Sequence, residues 1–394
     1  MGAKKLAVLD VGSDVITLAM QDSRYHDNLL FKASAEYEGY QDGKFLDLEN
    51  LYNAVVGLVK KYKDTTFCEL KELIVGVPAE FTTVICKTVH SDYSQPHKIT
   101  QRDIDMLFEQ GNTYGSNPDY FALNCSPVYY VLDNGKRTPE APVGQITKGL
   151  ASFASYVLGE KYYQEVFDAF GQALGIKFLY TSSLLAELMF AIPIEARDEG
   201  IILVDSGYIS TGVAYAKGDG ILYSRAFSLG SGNVAGDIAI CLEIPFEIAL
   251  ELTKKLNLNL EPEAGDVYTL THGGETYNFN IRDINEIAAC RVQDIAEQIK
   301  RVIESSTYEI PENTRILLTG SGLTIGGARE IVEKVTGHRA SYNVSEAILN
   351  LNKPGNCSLV GLLLYQRSKL PYKAESKLNQ WIKKLHAWTS GRKK

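Results

Sequence analysis

Residues 201–239 read IILVDSGYISTGVAYAKGDGILYSRAFSLGSGNVAGDIA, and their punctuation decides the fold. An apolar run, Ile201–Val204, drives into Asp205 and Gly207, and a second run follows at Thr211–Ala216. The turn Gly218–Gly220 leads into a third run, Ile221–Phe227, and Gly230–Gly232 open a helix. Short apolar runs bounded by glycine and aspartate are the pattern of buried strands joined by tight hairpins. Glycine at a strand's end lets backbone approach a ligand, and a carboxylate beside it holds a cation or water. Alone, the same D-x-G also marks an ordinary turn.

A second copy raises its weight. KLAVLDVGSDVITLAM, residues 5–20, repeats the design with Asp10, Gly12 and Ser13 between two apolar strands. LDVGSDVITLAM and VDSGYISTGVAY overlay with Asp on Asp and Gly on Gly. Two such hairpins half a chain apart predict duplicated α/β domains facing each other across a cleft.

The length of 394 residues suits two to three domains, and 45% hydrophobic with 22% charged residues is ordinary globular composition. No run approaches the ~20 apolar residues of a membrane span, and the N-terminus has no signal-peptide core. Cys68, Cys86, Cys125, Cys241, Cys290 and Cys357 are scattered without a CxxC, which predicts reduced core residues of a cytosolic protein. The six histidines have no metal spacing, and no catalytic set is apparent. The net charge is −8, yet residues 372–394 carry seven Lys or Arg against one Glu, leaving the rest at −14. An acidic body argues against nucleic acid, and a basic end needs its own explanation.

The chain divides as follows. Residues 1–77 and 159–195 form a first domain, with a helix at 48–63, a strand at 73–77 and a helix at 161–174. Residues 78–158 read as an inserted βαββ subdomain, with a helix at 101–110 capped by Thr100. Residues 196–243 and 307–366 form the second domain. Its outer subdomain, 244–306, holds helices at 244–256 and 283–306 around a turn-rich piece. In the second helix Ile284, Ile287, Ala288, Val292, Ile295 and Ile299 share one side. A linker, 367–375, precedes a basic amphipathic helix, 376–394.

These motifs resemble the actin-like ATPase superfamily, and within it FtsA, the bacterial cell-division branch. GSGNVAGDIA at 230–239, LLTGSGLTIGGAREIVEKVTG at 317–337 and SLVGLLLYQ at 358–366 carry the likeness, together with the insertion. The resemblance implies duplicated ribonuclease-H-like domains around a nucleotide cleft that takes ATP with Mg. The residues it places at the nucleotide are Asp10, Gly12, Ser13, Asp205, Gly207, Gly320, Ser321, Gly322 and Gly326.

The cleft departs from that pattern. The phosphate-contacting lysine of the first hairpin is matched by Val15, and Asp-x-Gly-Gly-Gly-Thr-Thr of the second by Asp205 to Thr211, with Tyr208 and Ile209 replacing glycines. A β-branched isoleucine disfavours φ > 0, and its side chain occupies space that a phosphate needs. The usual Glu-Pro before the bridging helix appears as Ser182-Ser183, and the Glu and Lys near the ribose align with Leu250 and Thr253. Glu251 and Lys254 keep that spacing one residue later, about 100° around the helix. A weakened or lost nucleotide site is expected. Asp10 and Asp205 can alternatively serve as hairpin caps.

At the basic end, Leu378, Trp381, Ile382, Leu385 and Trp388 fall on one helical face, with Lys377, Lys383 and Lys384 off it. Such a helix suits an anionic membrane surface; a helix docked on the body or a calmodulin-like target is the alternative. The resemblance thus implies a peripheral protein on the cytoplasmic face of the bacterial membrane at the division site. Its partners would be the FtsZ C-terminal peptide, copies of itself in a filament, and other division proteins. The peptide would dock on 244–306, where Arg291 and Arg301 could meet a carboxylate. A PilM-like scaffold, a diverged FtsA paralogue and a sugar kinase of the same fold compete, but no catalytic base for a kinase is evident.

Overall fold

The computed structural model describes residues 5–22 and 28–368. The two hairpins head two five-stranded sheets of one design. In the first, Lys177–Ser182, Glu72–Val77, Lys5–Val11, Val15–Asp22 and Leu29–Glu36 lie side by side in that order. In the second the order is Ala340–Tyr342, Arg315–Thr319, Ile201–Ser206, Thr211–Lys217 and Gly220–Phe227. Three strands in succession form an antiparallel meander, and two later strands add in parallel beside the first. Asp10 pairs with Thr17 and Asp205 with Gly212, one rung before the end of each hairpin. Shared order and shared register make the halves a structural duplication.

Helices bury the sheets from outside. On the first lobe, Leu48–Thr66 is started by Asp47, whose side chain accepts the Asn50 N–H, and Lys161–Leu174 stops at Gly175 in the left-handed region. Leu51, Val55 and Phe167 from these helices join Leu9, Ile16 and Leu18 in one core. On the second lobe, Ile281–Glu304 presents Ile284, Ala288, Val292, Ile295 and Ile299 to Ile202, Val204 and Ile316. The stretch expected to be only turn-rich contains a hairpin, Val267–His272 with Glu275–Asn280. Its alternation of polar and half-buried residues is weak because one face meets solvent.

Two helices cross between the lobes. Ser183–Ala191 follows the last strand of the first sheet, yet Leu184, Leu185 and Leu188 pack on Ile201, Leu203 and Ala214 of the second. Cys357–Ser368 follows the second lobe, yet Leu359, Leu362 and Leu363 pack on Val8, Ala19 and Ile74 of the first. Each lobe is therefore covered by the helix that leaves the other. They touch at Gly361, where a Cβ would lie 2.6–2.7 Å from Glu187 N and from Ala186 C and O.

Residues 82–160 build a third sheet, ordered Thr82–Lys98, Ile146–Glu160, Tyr120–Leu132 and the short Arg137–Thr138, with the helix Gln101–Gly111 on it. Thr100 and Asp103 close a capping box on that helix. This sheet also holds the second lobe. Ser155 Oγ donates to Ile221 O (2.5 Å), and Val128 enters the second lobe's core. The turn at Gly218–Gly220 presses against Val128 and Ser155, positioned by a salt bridge from buried Arg197 to Asp219. The outer strand of the second sheet is thus capped by side chains of the third.

Of the cysteines expected in the core, Cys125, Cys241 and Cys290 are exposed, whereas Cys357 is buried. Cysteine's average preference for burial does not bind a residue on the outer face of a helix or strand. Among the described residues no helix is long and apolar enough to cross a membrane. The amphipathic segment 376–394, with Leu378, Trp381, Ile382, Lys383, Lys384, Leu385 and Trp388, lies outside the described residues.

Candidate site between the lobes

The two hairpin loops close alike, Gly12 N–H donating to Val15 O (2.9 Å) and Gly207 N–H to Ser210 O (2.8 Å). They are also bonded to each other. Buried Ser13 Oγ accepts the Tyr208 N–H (3.1 Å) and the Ile209 N–H (2.9 Å). Two successive loop amides aimed at one acceptor make an arrangement able to hold an anion's oxygen, and here the acceptor is a serine hydroxyl. The loop's carbonyls are engaged as well. Gly207 O accepts the Ser231 N–H (3.2 Å) and Tyr208 O the Gly232 N–H (2.8 Å), which occupies the N-terminus of the helix Ser231–Leu242. The Tyr208 ring lies on Gly232, whose Cβ would come within 3.0 Å of it. Nearby, Ser228 of the second lobe accepts the Asp42 N–H (3.0 Å) and donates to Asp42 Oδ1 (3.1 Å).

Behind this bridge three carboxyls converge from three elements. Asp10 accepts from Ser358 Oγ (2.8 Å), and burial, opposed by that bond and Lys32, lifts its pKa to about 6. Asp205 rises to about 7 through burial and then the charge of Asp10. Neither bonds a backbone N–H of its own loop, so neither is a hairpin cap.

Glu187 completes the group. It has no exposed surface and neither carboxyl oxygen has a hydrogen-bond partner of good geometry; the neighbouring Thr319 hydroxyl, which donates to Val204 O (3.3 Å), only partly offsets the burial. Burial, then Asp205, push its pKa well above the carboxylate range. Ser182 and Ser183 had signalled a lost acid; in the fold, an acid returns one turn further along the same helix. The available signal was SLLAELMFA itself, where one glutamate sits among eight residues that are apolar or small. A charge in such a helix needs a reason.

The remaining candidate residues have structural work. Gly320, with φ +73°, and Gly322 press on the end of Ile201–Ser206, and Gly322 N–H donates to Ser206 O (2.7 Å). Ser321 is exposed on that loop, and Gly326 abuts Asn257, pairing with it as an isolated bridge. Glu251 faces His272 (3.5 Å) and Lys254 is exposed. Arg291, proposed for a carboxylate partner, is bound to Asp237 through Nε (2.6 Å) and Nη2 (2.9 Å), so it is consumed within the fold. Arg301 is exposed.

These residues fit Mg-ATP poorly as arranged. Asp10 and Asp205, where ionised, would oppose a polyanion, and the amides of Gly12, Gly207, Tyr208, Ile209, Ser231 and Gly232 are already bonded. Lys32, the cation acting on Asp10, is bonded to Asn356 (3.3 Å). Among the described residues no three acidic, histidine or cysteine side chains are placed to hold a metal ion.

Known structures share this fold. A PilM–PilN type IV pilus biogenesis complex aligns over 93% of this chain and 99% of the other, with TM-score 0.60 and 13% identity. MreB 5 of Spiroplasma citri bound to AMPPNP aligns over 93% and 97%, with TM-score 0.56 and 10% identity. The chain has the actin-like ATPase fold. Its curated relatives include Cell division protein FtsA of Borreliella burgdorferi, 20% identical over 99% of this chain and 97% of that protein. FtsA of Helicobacter pylori is 24% identical over 64% of this chain, a match spanning only about half (54%) of that relative. No protein-family profile matches. The likeness in sequence is to FtsA, and the likeness in fold is to the actin-like group at large.

The Ser13 bridge makes a first prediction. Ser13→Ala leaves the Tyr208 and Ile209 amides without their acceptor and lowers stability by about 1–2 kcal/mol. Hydrogen exchange of the 205–212 segment should accelerate while the third sheet is unchanged. Unaltered exchange there would mean that the bridge does not form in solution.

Proposed function

We propose that the chain is an FtsA-like adaptor that tethers FtsZ filaments to the cytoplasmic membrane and assembles with copies of itself, without needing nucleotide turnover. The observation that supports this best is the self-bonded cleft. An actin-like body whose phosphate-cradling amides are held by its own serine retains assembly surfaces while relinquishing ATP chemistry. ATP with Mg would meet Asp10, Asp205 and the Gly320–Gly322 loop only after the Ser13 bridge parts. The basic amphipathic segment 376–394 supplies the membrane contact, each Lys or Arg near an anionic surface adding roughly 1 kcal/mol. On the outer subdomain and its border, exposed Ile240 and Phe246, with Arg301, offer apolar and cationic contacts to the FtsZ C-terminal peptide. Other division proteins are further expected partners.

Co-sedimentation with anionic vesicles tests the reading. The full chain should carry labelled FtsZ C-terminal peptide into the pellet equally with and without Mg-ATP. Deletion of 376–394 should leave both in the supernatant. Peptide that stays behind with vesicle-bound chain would refute the FtsZ role, and strict dependence on ATP would refute nucleotide independence. A PilM-like scaffold would ignore the deletion.

A further inference from the structure

The chain leaves its described body at Ser368, and Ser368 lines a cavity of about 210 Å³ with Leu123, Leu185, Met189, Phe190 and Tyr365. Asn124 and Cys125 line it too, so it adjoins the start of the strand Tyr120–Leu132. Asn124 Nδ2 donates to Tyr365 Oη (3.3 Å) and to Thr181 Oγ1 (3.0 Å). Beside Thr181, the Tyr180 ring meets Phe121 edge-on at 5.7 Å, and its hydroxyl donates to Asp168 Oδ1 (2.6 Å). Three residues back on the same helix, exposed Glu165 lines a second cavity of about 350 Å³ with Asp119 and Glu160, against one cation, Lys161. That second cavity is also lined by Pro118 and Tyr120, so an acidic pocket and an apolar one flank the start of the strand Tyr120–Leu132, the apolar one at the chain's exit.

The segment that follows has the complementary character. It carries a face of Leu378, Trp381, Ile382, Leu385 and Trp388, and the net charge of residues 372–394 is +6 against −14 for the rest. Leu378 is ten residues beyond Ser368, a reach of up to about 33 Å when extended. Away from a membrane its apolar face must be covered or left in water.

We propose that residues 376–394 fold back on this surface, apolar side chains against Leu123, Met189 and Phe190, lysines against Asp119, Glu160 and Glu165. Groove and membrane then compete for one face, and membrane affinity falls by the fraction of chain held back. The docking stands on the groove and the segment; only the competition rests on the proposed tether.

Trp381 and Trp388 are the only tryptophans, so their emission reports on this segment alone. In vesicle-free buffer the full chain should emit to the blue of solvent-exposed tryptophan and resist a collisional quencher several-fold, at any protein concentration. Asp119→Lys with Glu165→Lys, both at exposed positions, should shift emission to the red and raise the vesicle-bound fraction several-fold. Solvent-like emission of the wild type, a blue shift that appears only as concentration rises, or a charge reversal that moves neither reading would overturn the proposal. Blue-shifted emission without vesicle binding upholds docking and removes the tether. Solvent-like emission with vesicle binding does the reverse.

Discussion

Glu187→Gln raises the thermal midpoint of the chain by a few degrees at pH 8 and barely changes it at pH 5. The side chain is wholly buried, the Thr319 hydroxyl offsets that only in part, and Asp205 and Asp10 add like charge. Removing one uncompensated buried carboxylate relieves on the order of 2–4 kcal/mol. For a chain this long each kcal/mol moves the midpoint by roughly 1–2 °C. The sign with pH follows from linkage. A carboxyl whose folded pKa is raised keeps its proton in the folded chain after the unfolded chain has released it. Stability therefore falls as pH climbs from about 4 through the folded values, about 6 for Asp10 and about 7 for Asp205, with Glu187 extending the fall upward. Asp205→Asn acts in the same direction, and because the groups are coupled the double variant gains less than the sum. A midpoint that drops at pH 8, or a gain equal at both pH values, would show that Glu187 is paired in solution.

Gly361→Ala should be strongly damaging at the crossing of the two helices, lowering stability by about 2–3 kcal/mol. Its Cβ would meet backbone atoms of Ala186 and Glu187 at 2.6–2.7 Å, and backbone of a packed helix cannot swing aside as a side chain can. The two crossing helices must separate, and each carries the cover of one lobe's sheet. Gly57→Ala is the control. It sits in the helix Leu48–Thr66 with nothing within 4 Å of the new carbon, so it should be neutral or stabilising by about 0.5–1 kcal/mol. Urea titration of both variants decides the matter. Equal behaviour would mean that the crossing is looser than drawn.

The duplicated hairpins were legible because Asp and Gly recur at one spacing in strands apolar enough to be buried on both faces. The helix at Lys161–Leu174 was legible with the bounds it takes in the fold. Lys177–Ser182 was not read as a strand, because an edge strand of mixed polarity has little pattern of its own. In the cleft, the departures at Val15, Tyr208 and Ile209 were visible, but their consequence was not. That Ser13 accepts from residues nearly two hundred positions later depends on how the lobes meet. Glu187 was not legible as a site residue because it stands one turn beyond the strand–helix junction at Ser182-Ser183, outside any motif. Arg291 looked available because Asp237, its partner, lies on another helix.

The exchange of covering helices sets an order on synthesis. The first sheet has all its strands once residue 182 is made, yet Leu359–Leu363, which cover Val8, Ala19 and Ile74, come some 175 residues later. At ordinary translation rates that interval is roughly 10–35 s. Throughout it a nascent first lobe shows an oily sheet face to solvent, so chains stalled before residue 357 should be chaperone clients or aggregate. The helix that ends the wait is also the one from which residues 369–394 emerge, so the basic segment is delivered only on a finished body.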